Sequence, residues 1–206
     1  MTEVKLTKTE LKDQRYKLSQ LEKYLPTLQL KKSMLQTEVN NTIYEIEQLN
    51  KKFLNQKAIC EEFQVLLSQP QTETIKKYVK VGSISKNYEN IAGAEIPSLK
   101  EVLFPQLDYS LYNTPFWIDA GIIKLKGLVL IEQEITVVEE KKAILEKELR
   151  EVSIRVNLFE KILIPRTTAN IKKIKIFLGD QELAAVAQAK VAKSKILQKK
   201  KQEELE

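Results

Sequence analysis

The chain has 206 residues, its formal net charge is +6, and 30% of its residues are charged. It contains no histidine and a single cysteine, Cys60, so it lacks the commonest general base and metal ligand and has no internal disulfide. Only five glycines and six prolines accompany the many Lys, Glu and Leu residues, a composition typical of long helices rather than of a compact core.

No stretch of the sequence predicts a membrane span or a secretory signal. The longest apolar run starts at Gly127 and is interrupted by Glu132 and Glu134, so it is too short to cross a bilayer. The N-terminal residues contain no apolar signal core. We therefore expect a soluble, cytoplasmic protein that reaches a membrane only through a partner.

The first segment, residues 1–68, carries a heptad pattern. Thr7, followed three residues later by Glu10, predicts a capped helix start just before Leu11. From there the spacing alternates between three and four residues, and thirteen of seventeen seam positions are apolar, which indicates a coiled-coil helix. The seam consists of Leu11, Gln14, Leu18, Leu21, Leu25, Leu28, Lys32, Leu35, Val39, Thr42, Ile46, Leu49, Phe53, Gln56, Cys60, Phe63 and Leu67.

The middle segment, residues 69–118, interrupts this pattern. It contains four prolines, two glycines and the single tryptophan, Trp117. The stretch IKKYVKVGSI, residues 75–84, alternates like a short strand, and NIAGAEIP, residues 90–97, is typical of a turn. We predict a small mixed insert with short strands and a hairpin, located where the chain turns back.

The last segment, residues 119–206, again carries a heptad seam and ends in a basic tail. Ten of eleven seam positions are apolar. Beyond Pro165 the register shifts by one residue, which predicts a local discontinuity of the helix at the proline. The seam comprises Leu128, Ile131, Ile135, Val138, Lys142, Leu145, Leu149, Val152, Val156, Phe159 and Leu163, and after the shift Ile164, Ile171, Ile174 and Leu178.

Two long helices that flank one compact insert predict a mainly α protein. We expect the N- and C-terminal helices to form a long antiparallel two-helix coiled coil, with the insert at the turn. In this pairing the numbers of facing residues sum to roughly 190, so Pro26 is predicted to lie opposite Pro165.

The sequence contains no pattern that predicts catalysis, a metal site or a cofactor site. The stretch VGSISK, residues 81–86, lacks the second glycine of a phosphate-binding loop, and no Cys/His cluster could hold zinc. Adjacent carboxylates such as Glu139 and Glu140 point to different faces of a helix. We therefore expect no enzyme activity and no cofactor.

The region from Lys161 to Lys201 holds eleven basic residues and two acidic ones, which leaves four interpretations open. It could bind nucleic acid, lie on an anionic membrane, sit inside a protein collar, or form a solvated face. Nucleic-acid binding is disfavoured because no compact reading fold accompanies the charges. An interfacial membrane helix is disfavoured because Ala and Val dominate its apolar positions after Gly179.

Three stretches of the chain resemble the D subunit of V-type and archaeal-type rotary ATPases. They are LTKTELKDQRYKLSQLEKYLPTLQLKKSML from Leu6, NIAGAEIP from Asn90, and IRVNLFEKILIPRTTANIKKIKIFL from Ile154. The resemblance covers nearly the whole chain. Its strongest part contains the motif residues Arg155, Asn157, Glu160 and Pro165.

The resemblance implies a mechanical function without catalysis. The D subunit is the central rotor shaft, the counterpart of the F-type gamma subunit, and couples ATP hydrolysis or synthesis to proton or sodium translocation by rotation. The implied partners are the catalytic and non-catalytic subunits of the hexamer, a small F subunit and the membrane-side adaptor of the rotor ring. Nucleic acid is not among them, and the membrane is reached only indirectly.

Two sets of contact residues follow from this resemblance. The expected contacts with the hexamer are Lys31, Lys32, Arg166, Lys172, Lys173 and Lys175. The expected contacts of the insert are Tyr88, Ile96, Tyr109 and Trp117. The alternative function is a non-motor coiled-coil scaffold or tether that binds a partner through the middle insert.

Overall fold

The structure is a computed structural model that describes residues 4–62, 72–106 and 115–203. The element order is helix α1 (Lys8–Glu61), helix α2 (Thr72–Val79), strand β1 (Ser83–Ile91), strand β2 (Ala94–Leu103), helix α3 (Ile118–Leu158), a π-helical turn (Phe159–Leu163) and helix α4 (Ile164–Glu203). The mainly α architecture with a two-stranded insert between long helices confirms the predicted fold class. The chain divides into two compact units, Leu30–Ser153 and Met1–Gln29 with Ile154–Glu206.

Helix α1 begins where the capping signal predicts. The hydroxyl of Thr7 accepts a hydrogen bond from the backbone N–H of Glu10 at 3.2 Å, and the carbonyl of Thr7 accepts one from Leu11 at 3.0 Å. The Glu10 carboxylate accepts a bond from the side-chain amide of Gln14 at 2.8 Å. The first orphan amide groups of the helix are thus satisfied at Thr7.

The predicted seams are the buried faces of both long helices. Every seam position from Leu11 to Cys60 is buried or half-buried, and so is every one from Leu128 to Leu163. Phe63 and Leu67 lie outside the described residues. The heptad spacing therefore decides which face of each helix is withdrawn from water, because only one stripe of apolar side chains recurs on it.

In the unit Leu30–Ser153, α1 and α3 run antiparallel. The Lys141 ammonium lies 3.3 Å from the Glu38 carboxylate and 3.5 Å from that of Glu45. Further along, the carbonyl of Lys124 accepts bonds from the Gln56 amide at 3.1 Å and the Cys60 thiol at 3.7 Å. Residue numbers thus rise on one helix as they fall on the other.

Strands β1 and β2 form an antiparallel hairpin with a two-residue turn at Ala92 and Gly93. Both turn residues have positive φ, 52° and 83°, as a type I′ turn requires. The Asn90 side chain accepts a hydrogen bond from the Gly93 amide at 2.8 Å and so holds the turn closed. The turn predicted in NIAGAEIP is therefore confirmed.

The first half of the stretch IKKYVKVGSI is helical and only its last two residues begin strand β1, so the strand predicted over residues 75–84 is wrong. Helix α2 covers its first half, and Ile75 and Tyr78 are buried three residues apart. They pack with Trp117, Ile118 and Ile122 in one cluster. Spacing of three and four places these side chains on one helix face, and burial of that face overrides the local alternation.

The hairpin packs along the long helices of its unit. Strand β2 supplies buried residues, whereas β1 is almost entirely exposed. Lys86 of β1 forms an ion pair with Glu140 of α3. At the tip, Gly93 lies beside the Lys31 ammonium, close enough that a side-chain carbon at residue 93 would stand 3.4 Å from it. The insert thus reaches back from the turn as far as Lys31.

The discontinuity predicted at Pro165 is a π-helical turn. The backbone N–H of Ile164 donates to the carbonyl of Phe159, five residues earlier, and α-helical pairing resumes from Ile164. A π-helical turn adds one residue to the helix, which is the one-residue shift seen in the apolar stripe. Thr167 carries the buried stripe from Leu163 to Ile171, a position that the sequence analysis missed.

The predicted position of Pro26 opposite Pro165 stays a prediction. Leu163 and Thr167, which flank Pro165, border two cavities together with Lys17 of α1. The second of these cavities also includes Leu21 and Tyr24, so residues on both sides of Pro165 share its lining with residues 17–24 of α1. The outermost described pair of this unit, Lys8 and Glu182, agrees with the predicted register, with 3.6 Å between ammonium and carboxylate.

Candidate contact surfaces

Four cations of α4 form one solvent-facing group, called here the basic face: Arg166, Lys172, Lys173 and Lys175. All four are exposed, because the seam residues Ile171 and Ile174 between them are buried. Since Ile174 is 0% exposed, its neighbours on either side must point to solvent. The apolar stripe thus determines where these charges are displayed.

The basic face has no intramolecular counter-charge in the part of the chain that the structure describes. None of its four cations lies within ion-pair distance of a described carboxylate, whereas Lys8, Lys86 and Lys142 each have one and Lys141 has two. Exposed pairs contribute only about 0–1 kcal/mol each, so four unpaired cations cost the fold little. They remain available to an acidic or carbonyl-lined partner surface.

Lys31 and Lys32 are less exposed than the four cations of the basic face. Both are half-buried and belong to the unit Leu30–Ser153. Lys31 lies beside the hairpin tip at Gly93, and Lys32 occupies a seam position of α1. Their aliphatic stems cover apolar surface, which is a common use of lysine at such positions.

The motif residues surround the π-helical turn. Arg155, Asn157, Glu160 and Pro165 lie on either side of it or within it, and Glu160 belongs to the turn itself. Val156, between Arg155 and Asn157, is buried in the seam. The motif therefore combines a surface pattern with the one interruption of α-helical pairing between α3 and α4.

Two of the predicted insert contacts are core residues, which corrects the prediction. Trp117 is 7% exposed within the cluster around Ile75, and Ile96 is buried on β2. Neither can reach a partner in this conformation. Tyr88 on β1 is exposed and stays a candidate, and Tyr109 lies outside the described residues.

Two large apolar residues that the sequence prediction did not include lie on the surface at and just before the start of α3. Phe116 is 97% exposed, and Ile123, seven residues later, is also exposed. The signal was available in the helical spacing, because Trp117, Ile118 and Ile122 turn inward and leave Phe116 and Ile123 outward. Exposed apolar side chains that are scattered singly are normal, whereas a contiguous patch marks a contact surface, so these two residues are candidates for such a patch.

Cys60 is placed as a core residue rather than as a nucleophile. Burial raises the pKa of its thiol, and the nearby charge of Lys124 opposes this only in part. A raised pKa keeps the thiol protonated near neutral pH, and the thiolate is the reactive form.

Within residues 4–62, 72–106 and 115–203, no three His, Cys, Asp or Glu side chains are close enough to hold a metal ion. In the same ranges, no helix is both long and apolar enough to cross a membrane. The described residues form long helices, a hairpin packed on the helices of its unit and a basic face without ion pairs. Such features are typical of the class of proteins that act by binding partners through their surfaces.

The comparisons with known proteins agree with this class. Residues 10–194 match the family described as the D subunit of ATP synthase. The chain is 43% identical over 204 residues to the V-type ATP synthase D subunit of Chlamydia caviae, with 98% of each chain covered. It is 44% identical over 195 residues to the protein of that name from Chlamydia pneumoniae, which covers 94% of this chain and 93% of the relative. The chain therefore belongs to the family of ATP synthase D subunits, which confirms the resemblance seen in the sequence.

Proposed function

We propose that this chain is the central stalk, or rotor shaft, of a V-type ATPase. In this role it couples ATP hydrolysis or synthesis in a catalytic hexamer to proton or sodium translocation by rotating as a rigid element. It contributes no catalytic residue of its own. Family membership over almost the whole chain, together with relatives named as the D subunit of V-type ATP synthase, supports this assignment.

The observation that carries the proposal is the unpaired basic face. A shaft that turns inside a collar must exchange each contact for another at every step. Solvated ion pairs of about 0–1 kcal/mol suit such contacts, because buried pairs cost about 3–5 kcal/mol to break. Four exposed cations without described carboxylate partners fit the first kind of contact.

The proposed partners follow from the same role. The catalytic and non-catalytic subunits of the hexamer surround the shaft, a small F subunit binds it, and an adaptor joins it to the rotor ring in the membrane. The protein is then peripheral to the membrane on the cytoplasmic side. We assign the adaptor contact to the insert and the adjoining start of α3, where Tyr88, Phe116 and Ile123 are exposed.

A purification experiment tests the proposal. The chain with an affinity tag is expressed in its own cells, and the proteins that it retains are assayed for ATP hydrolysis. We expect a nucleotide-hydrolysing hexamer in stoichiometric amounts, released by high salt. A purified chain that retains partners without ATPase activity contradicts the rotor function.

A non-motor scaffold or tether is the second candidate. The exposed apolar residues Tyr88, Phe116 and Ile123 favour it, because they suit one permanent partner at the insert unit. The same purification separates the two candidates. A tether retains its partner through these residues and brings no ATPase activity with it.

A further inference from the structure

A polar cavity of about 400 Å³ lies between the start of α1 and the first turns of α4. We call it the Gln14 cavity. Its size is at the lower end of the range of roughly 300–1,000 Å³ that is common for small-ligand sites. Its lining residues are Val4, Lys5, Glu10, Gln14, Lys17, Leu163, Arg166, Thr167 and Asn170.

Two of the side chains that line this cavity are both polar and buried. Gln14 and Thr167 are each only 8% exposed, and Thr42 is the one other buried polar side chain among the described residues. Gln14 occupies a seam position of α1, and Thr167 carries the stripe of α4 just after the π-helical turn. Burial of polar groups has a cost unless they are hydrogen-bonded, and both side chains have a partner within the chain.

The hydrogen bonds within the cavity leave donors for a ligand. The Gln14 amide donates one hydrogen to the Glu10 carboxylate at 2.8 Å and has a second hydrogen to give. The Thr167 hydroxyl donates its hydrogen to the carbonyl of Leu163 at 2.7 Å, so this hydrogen is used within the helix. Asn170 adds another amide at the same wall.

The charges around the cavity are unbalanced. Lys5, Lys17 and Arg166 line it, and no carboxylate of the described residues lies within ion-pair distance of any of them. Glu10 is the only acidic residue in the lining. The cavity therefore has a net charge of +2, from three cations and one carboxylate.

From this arrangement we propose that the Gln14 cavity binds a phosphate group. A phosphate carries about two negative charges at neutral pH, which matches the excess positive charge of the lining. The Arg166 guanidinium offers a planar pair of N–H donors, the geometry that phosphate oxygens accept best. The free amide hydrogens of Gln14 and Asn170 complete the set of donors.

All residues that line the cavity belong to one unit of this chain. Arg166 also belongs to the basic face, so phosphate occupancy competes with any partner that uses this residue. The ligand is either free inorganic phosphate or the phosphate group of a nucleotide.

The test is a titration of the full isotope-labelled chain, followed by the NMR signals of the side-chain amides of Gln14 and Asn170. The arms are inorganic phosphate, pyrophosphate and magnesium-free ATP, with potassium chloride at equal ionic strength as the control. Saturable shifts of both amides are expected with phosphate and absent with chloride. Saturation at a lower concentration of ATP or pyrophosphate assigns the site to a nucleotide or polyphosphate. Equal responses to phosphate and chloride overturn the proposal.

Variants that change the charge of the lining should raise or lower phosphate affinity in a direction that the proposal predicts. Arg166→Gln and Lys17→Gln should each weaken phosphate binding about tenfold, because each removes a charged donor. Glu10→Gln should instead tighten binding, because it removes the one negative charge of the lining. Lys12→Gln changes an exposed lysine of α1 outside the cavity and is the matched control. Weaker binding in Glu10→Gln, or equal weakening in Lys12→Gln and Lys17→Gln, rules the site out.

A final variant separates ligand binding from a purely structural use of the polar seam. Gln14→Leu restores an apolar seam residue and should preserve the helices, which circular dichroism would show. If Gln14 serves the phosphate, binding followed at Asn170 weakens in this variant. Unchanged phosphate affinity in the folded Gln14→Leu protein would mean that Gln14 sets only the helix register.

Discussion

The backbone N–H of Ile164 donates to the carbonyl of Phe159, so the helix makes a wider turn immediately before Pro165. A proline lacks the amide hydrogen and its ring clashes with the carbonyl four residues earlier, here that of Lys161. The π-helical turn adds one residue at the place where that clash would occur. Beyond it the side-chain hydroxyls of Thr167 and Thr168 donate to the carbonyls of Leu163 and Ile164 at 2.7 and 2.9 Å.

The π-helical turn, rather than the proline, should be what keeps the α4 seam in register, because it accommodates the additional residue. We expect Pro165→Ala to retain the π-helical turn and to change the free energy of unfolding by only about 1 kcal/mol, roughly one hydrogen bond. Loss of the turn would rotate Ile171 and Ile174 toward water, at a cost of about 1.5–3 kcal/mol each. Backbone amide NMR of the variant identifies the hydrogen-bond partners.

Deletion of one residue also tests how the π-helical turn sets the register of the seam. Removal of Ile162 in the Pro165→Ala background takes out the additional residue and leaves the later seam aligned, so the protein should stay folded. Removal of the exposed Lys147 from α3 displaces every later seam residue of that helix and should destabilise it severely. Equal denaturant midpoints for the two deletions would contradict this account.

The seam residues of α4 should dominate its stability. Ile174→Ala is expected to lower the free energy of unfolding by about 2–5 kcal/mol, because the residue is fully buried. Ile176→Ala, two positions later on the exposed side, should stay within about 0.5 kcal/mol of the parent. Urea denaturation of both variants measures the difference.

The basic face should govern salt-sensitive assembly. Changing Arg166, Lys172, Lys173 and Lys175 to Gln should leave the helix intact, since Gln has a similar helix propensity. Binding to the hexamer should weaken and depend less on salt. A control with Lys12, Lys23, Lys51 and Lys57 changed to Gln removes the same net charge from exposed positions of α1. If both variants bind alike at low and high salt, the basic face is only a solvated surface.

The hairpin turn should respond in opposite directions to two substitutions. Ala92→Asn should stabilise the protein by up to about 1 kcal/mol, because Asn tolerates the positive φ that Ala92 adopts. Gly93→Ala should destabilise it, since φ is +83° and the new carbon would stand 3.4 Å from the Lys31 ammonium. Thermal unfolding of the two variants should show shifts of opposite sign.

The Cys60 thiol should be slow to react in the native protein. Burial raises its pKa, so the fraction of thiolate at pH 8 is smaller in the folded chain than in the unfolded one. The raised pKa contributes stability below the pKa of the unfolded thiol, and this contribution is lost as pH rises through the folded pKa. Alkylation rates with and without urea measure the protection, and equal rates would contradict it.

The sequence by itself determined the long helices, their buried faces and the helix start at Thr7. These features depend on local spacing, because a stripe that recurs every three or four residues can be buried only on one side of a helix. The one-residue shift after Pro165 was also visible in the apolar stripe, and the outward position of the basic face follows from Ile171 and Ile174.

Only the tertiary structure decided the role of the middle segment. Ile75, Tyr78 and Trp117 form a cluster across roughly forty residues of sequence, and this burial makes a helix of a stretch that alternates like a strand. The Gln14 cavity likewise depends on the pairing of α1 with α4, which brings Lys17 and Arg166 into the lining of one cavity. Such groupings arise from contacts between residues far apart in the chain, and periodicity reports only on neighbours within a few turns.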